Sequence, residues 1–85
     1  MLASQDAMIF KGTLGTGGTI TALPVDGYQA GNVYRVITAG TYAGQKCEIG
    51  DLLIAVADAT AGATAVTNAH WTVAQTNIDG AVITS

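Results

Sequence analysis

The sequence of 85 residues predicts an all-β fold: a small barrel or sandwich of about five to six short antiparallel strands. Short runs rich in β-branched and aromatic residues recur along the chain, and such residues suit a pleated, half-buried surface. Clusters of Gly, Asp, Asn and Pro separate these runs, as turns do. No segment carries a convincing helical pattern.

In the first half of the chain, the first predicted strand covers residues 8–13, and Phe10 is its expected core anchor. A glycine-rich turn follows at 15–19, with a short extended piece at 19–21. Pro24 lacks a backbone donor and therefore ends extended pairing.

The middle of the chain holds the two most apolar runs, residues 33–38 and 52–57. Residues 39–44 are predicted to be a connection, and residues 45–49 a half-exposed strand. Residues 47–57 are therefore expected to supply the central strands of the fold.

The last third of the chain begins with an alanine- and glycine-rich loop at 58–68. A strand is predicted at 70–75 and an exit strand or tail at 81–85. Residues 1–7 are interpreted as an N-terminal linker or incoming shaft segment, and residues 8–85 as one small β module.

The composition predicts a chain that assembles with others. It is 49% hydrophobic and only 11% charged, whereas ordinary soluble domains carry about 25% charged residues. Small domains usually need a disulfide, a metal or partner chains for stability. Cys47 is the only cysteine and His70 the only histidine. Partner chains are therefore the remaining source of extra stability. The continuous apolar run predicts subunit contacts through Leu52, Ile54 and Val56.

Several function classes are disfavoured. The net charge is -3 and the three cations are scattered, which argues against nucleic acid. The longest apolar run has six residues, too few for membrane insertion, which needs about 20. The glycine-rich segment GTLGTGG lacks the Gly-Lys-Ser/Thr of a phosphate-binding loop. We therefore expect no cofactor and no metal.

No catalytic constellation is apparent, so the sequence predicts a protein that is not an enzyme. Glu48 and Asp51 have the proximity of a glycosidase pair, but the glycine beside Asp51 favours a turn. A cleft joining these two carboxylates to His70 would revive an enzymatic interpretation. Cys47 is expected to be a small buried hydrophobe.

Three residues are candidates for contact with a glycan or receptor: Tyr42, Trp71 and His70. Exposed aromatic rings stack on sugars, which makes a carbohydrate-binding module the alternative function. That alternative requires an exposed Trp71. The competing interpretation places Trp71 in the core, as one of few large side chains.

Four phrases of the sequence occur in the order DAMIFKGTLGTGGTITALP, GYQAGNVYRVITAGTYAG, CEIGDLLIAVAD and HWTVAQTNIDGAV. Together they cover residues 6–82 and resemble a segment of bacteriophage and prophage tail-fibre proteins and related virion fibres. The resemblance implies a structural module of a longer homotrimeric fibre, assembled in the bacterial host cytoplasm and carried on the virion. It implies a role in fibre assembly and host attachment, and transfers no catalytic residue. Tail fibre, head fibre and baseplate all stay open.

Overall fold

The computed structural model describes residues 8–75. The predictions for residues 1–7 and 81–85 lie outside this range. The described chain forms six strands and one short 3₁₀ turn, Asn68–His70, and the predicted all-β class is confirmed. The strands are β1 (Ile9–Leu14), β2 (Asn32–Val36), β3 (Gly40–Tyr42), β4 (Gln45–Cys47), β5 (Leu52–Ala55) and β6 (Trp71–Ala74).

Four strands form one mixed sheet in the order β1-β2-β5-β6, and β3 and β4 form a separate hairpin. β1 runs parallel to β2, while the β2–β5 and β5–β6 pairs are antiparallel. The prediction that all strands are antiparallel is therefore wrong for the β1–β2 pair, and the predicted barrel is wrong because the four-stranded sheet does not close. Parallel neighbours need a long crossover, and residues 15–31 provide one where turn signals alone suggested hairpins.

The two central strands of the sheet are β2 and β5. The expectation that residues 47–57 form the central strands is thus correct for β5 and wrong for β4, which pairs only with β3. β3 itself falls in the segment predicted to be a connection. Its three residues pair with β4 around a turn in which Ala43 has a φ of 52°. Because each strand of this hairpin has only three residues, the sequence shows no alternation that would predict it.

One face of the sheet carries the core. Alternation along β2 turns Tyr34 and Val36 towards it. Leu53 from β5 and Trp71 from β6 lie beside them, and both are buried. The core cluster consists of Leu14, Leu23, Tyr28, Tyr34, Val36, Cys47, Leu53, Ala55 and Trp71.

The opposite face of the sheet, which we call the outer face, follows from the strand register. One row across the sheet pairs Phe10 with Val33, Val33 with Ile54, and Ile54 with Thr72. Alternation adds the remaining members. The outer face consists of Met8, Phe10, Thr13, Val33, Arg35, Leu52, Ile54, Val56, Thr72 and Ala74.

The expectation that Phe10 anchors the core is wrong, because its side chain is 61% exposed. β1 is an edge strand, and its register with β2 shifts between Phe10 and Gly12. This irregularity puts Phe10 beside Val33 on the outer face, while Leu14, further along the same strand, enters the core. One strand thus contributes to both faces.

Candidate functional site

The aromatic residues of the late strand lie in the core. Trp71 is 3% exposed, and its ring lies 4.8 Å from the Tyr28 ring and 6.1 Å from the Tyr34 ring, measured between centroids. The interpretation of Trp71 as core is confirmed. Because the indole is enclosed, it offers no ring face on which a sugar could stack.

His70 extends this cluster at its margin. Its Nδ1 atom lies 2.9 Å from the Tyr28 hydroxyl, and the two rings meet edge to face with centroids 6.0 Å apart. Its backbone carbonyl accepts the N–H of Val56. His70 is half-buried and holds the start of β6 against the loop that carries Tyr28.

Tyr42, the third predicted contact residue, lies in β3 rather than in a loop. Its hydroxyl donates a hydrogen bond of 2.6 Å to the carbonyl of Thr38, and its half-buried ring packs against the core. The hairpin is tied to the sheet by Gln45, whose side-chain amide donates to the carbonyl of Trp71 at 2.9 Å. The aromatic residues that suggested glycan contact therefore build the interior.

Asp51 closes the turn before β5, as the sequence predicts. Its carboxylate is fully buried, and Oδ2 accepts the backbone N–H of Glu48 at 2.9 Å and the side-chain amide of Gln75 at 3.3 Å. The backbone N–H of Asp51 also donates to the carbonyl of Glu48 at 3.0 Å, so the two residues are bonded to each other twice across the turn. This geometry supports a structural role for Asp51.

A cleft of about 590 Å³ lies beside the hairpin. Neither Asp51 nor His70 contributes to its lining, so it does not join the groups that an enzymatic interpretation would need. Within residues 8–75, no three His, Cys, Asp or Glu side chains group closely enough to hold a metal ion. The cleft is lined by Ala39, Gly40, Thr41, Lys46, Cys47, Glu48 and Ile49.

Cys47 lies between this cleft and the core and is 1% exposed. Burial raises the pKa of its thiol. A backbone hydrogen bond from Tyr42 lowers the pKa, and the negative charge of Asp51 raises it further, with a net upward shift. The expected small buried hydrophobe is confirmed, and the neutral thiol is the form that the fold favours.

We therefore expect Cys47 to react with a disulfide reagent at neutral pH much more slowly in the folded protein than in denaturant, because the thiolate is the nucleophile. The raised pKa also means that the folded state loses stability once the pH exceeds the ordinary thiol value of about 8.5. Denaturant titrations at several alkaline pH values should show a steeper loss for the wild type than for Cys47→Ala. Equal slopes, or equal labelling rates, would contradict the prediction.

The glycine-rich turn after β1 is held by threonine side chains. The N–H of Thr13 donates to Oγ1 of Thr19, and the N–H of Thr19 donates to Oγ1 of Thr13. The N–H of Thr16 donates to Oγ1 of Thr38. A phosphate-binding loop would present backbone N–H groups of this kind to its ligand. In this turn the three N–H groups are bonded to threonine hydroxyls of the same chain.

The predicted contact residues Leu52, Ile54 and Val56 do share one surface, the outer face. The structure places Phe10 and Met8 on the same surface, which the sequence did not predict. Met8 is 63% exposed and Val56 53% exposed. The signal that finds Phe10 is the pairing of β1 with β2, which links positions more than 20 residues apart. What this surface can do is make apolar contacts.

No helix within residues 8–75 is long and apolar enough to cross a membrane. The function must be argued from the geometry and the sequence, and the resemblance to virion fibres stays a prediction. Comparison of the chain with protein-family models, with curated proteins and with solved structures finds no match in any of the three.

Proposed function

We propose that this chain is a structural module of a phage virion fibre of the tail-fibre type, which works as a homotrimer in fibre assembly and host attachment. One observation carries the self-assembly in this proposal: large apolar side chains lie exposed on a domain that has few charges. Single exposed apolar residues are ordinary, but a contiguous patch marks a contact surface. Of the exposed large residues Met8, Ile9, Phe10, Ile49 and Val56, three lie together on the outer face: Met8, Phe10 and Val56.

The energetics indicate how such a module would work. Fully burying a Val, Phe or Met side chain contributes about 1.5–3 kcal/mol. Covering the exposed parts of Met8, Phe10 and Val56 would then contribute roughly 3–5 kcal/mol on each copy. Association costs about 4–15 kcal/mol in lost translational and rotational freedom. The isolated module should therefore associate weakly.

A longer fibre chain removes most of that cost. Modules joined to others on the same chain meet at effective concentrations of about a millimolar or more. A weak contact repeated along the fibre then suffices for assembly. The assignment of the module to a virion rests on the resemblance to tail-fibre proteins. The module would assemble in the host cytoplasm and would then form part of the fibre on the virion.

Direct glycan binding by this module is not part of the proposal, because Trp71 is enclosed and the hydroxyl of Tyr42 is bonded to the backbone. Host attachment is proposed as a property of the whole fibre. The parts of the fibre that contact the host surface would then lie elsewhere.

The test is the mass of the species in solution. Sedimentation equilibrium from about 10 μM to about 1 mM should show a monomer at the low end and a trimer at the high end. A chain that stays monomeric throughout contradicts the proposal. A species that stops at the dimer contradicts the trimer.

A further inference from the structure

We infer that the outer face of the sheet is where neighbouring copies of this chain meet, so that their sheets share one apolar core. The inference rests on the proposed function, since it needs a chain that assembles with itself. It goes further by assigning the contact to one surface of the module.

The register makes the outer face contiguous. Phe10, Val33 and Ile54 lie side by side on three adjacent strands. Alternation along β1 and β5 places Met8 and Val56 one row further towards the start of β1. Val33 is buried at the centre of this group, and Phe10, Met8 and Val56 stand exposed around it. Three adjacent strands, β1, β2 and β5, thus contribute to one contiguous apolar surface.

The charge distribution favours a second copy as the occupant. Arg35 is the single charged residue of the outer face, and it lies in the row of Thr13, Leu52 and Ala74, at the other end from Met8 and Val56. A nucleic acid or an anionic membrane would need a cluster of cations. A second copy that presents the same apolar face does not need a cluster of cations. Arg35 lies at the periphery of this face and can keep its charge in water.

The sheet topology points the same way. A solvated sheet face normally carries polar residues. Here the row of Phe10, Val33 and Ile54 on the outer face is apolar, and the described core covers only the opposite face. Apolar sheet faces pack against one another at about 10 Å, and in a trimer three outer faces turned towards the threefold axis can do so together. The outer face of a neighbouring copy supplies a surface of this kind.

Ile49 defines the rival surface. It is 60% exposed and lines the cleft beside the hairpin, and no residue of the outer face lines that cleft. Because its exposure matches the 61% of Phe10, lysine at either position should be tolerated equally well by the monomer. The two positions therefore make a matched pair.

The experiment compares the self-association of Phe10→Lys, Val56→Lys and Ile49→Lys with that of the wild type by sedimentation equilibrium. We expect the first two to raise the concentration needed for assembly about tenfold or more, and Ile49→Lys to leave it near the wild-type value. Circular dichroism and the fluorescence of the buried Trp71 check that each variant is folded. All three add the same charge.

The outcomes separate the two proposals. A wild type that never associates contradicts both. A wild type that associates, and that only Ile49→Lys weakens, overturns the assignment to the outer face and leaves the proposed function standing. Equal weakening by all three variants shows a general effect of added charge and also overturns the assignment.

Discussion

Replacement of Trp71 by alanine is expected to remove a large share of the free energy of unfolding of the domain. Truncation of a buried Trp costs about 3–5 kcal/mol. Stabilities of about 0.05–0.15 kcal/mol per residue give roughly 4–13 kcal/mol for a chain of 85 residues. The loss is therefore at least about a quarter of the total, and at the low end of this range it is the whole of it. Urea titration followed by circular dichroism measures it.

The control is Phe10→Ala, which removes a similar aromatic ring from the outer face. Since Phe10 is 61% exposed, the monomer should lose less than about 1 kcal/mol. Both variants are measured at low protein concentration, where association does not contribute. A larger loss for Phe10→Ala than for Trp71→Ala would reverse the assignment of core and outer face.

Replacement of Gly15 by alanine is expected to destabilise the domain by roughly 2–4 kcal/mol, through backbone strain and overpacking together. Gly15 has a φ of 136°, and a Cβ atom there would lie 2.7 Å from Cβ of Thr38 and 2.8 Å from its backbone nitrogen. The backbone cannot move aside as the end of a flexible side chain can. Thermal unfolding followed by circular dichroism gives the change.

Gly17→Ala is the matched control in the same turn. Gly17 also has a positive φ, 83°, but a Cβ atom there would meet nothing within 4 Å. The Gly17→Ala substitution should therefore cost about 1–2 kcal/mol, which is the strain of a residue other than glycine in the left-handed region. If the two variants were equally stable, the close approach of Thr38 to Gly15 would have no energetic consequence.

The sequence predicts the strands well where local composition decides them. β5 and β6 fall within the predicted runs, and β2 overlaps its run from Val33 onward, because β-branched and aromatic residues are concentrated there. The period of two also places Leu52, Ile54 and Val56 on one face correctly. The direction of β1 is not a local property, because it depends on how the crossover 15–31 returns the chain to the sheet.

The site residues divide in the same way. The burial of Trp71 and Cys47 could be anticipated from residue type, since the chain has few other large side chains. The exposure of Phe10 could not, because it depends on the shifted register of an edge strand. The role of Tyr42 was obscured by flanking glycines that in fact belong to a hairpin.

The parallel pairing of β1 and β2 has a mechanical consequence. β6 runs in the same direction as β1, so Ile9 and Ala74 lie at diagonally opposite corners of the sheet. Tension between these two corners acts partly along the strands, across hydrogen bonds that lie perpendicular to them in the antiparallel pairs. The ladders are then loaded in shear, with many bonds sharing the force, instead of being opened one bond at a time.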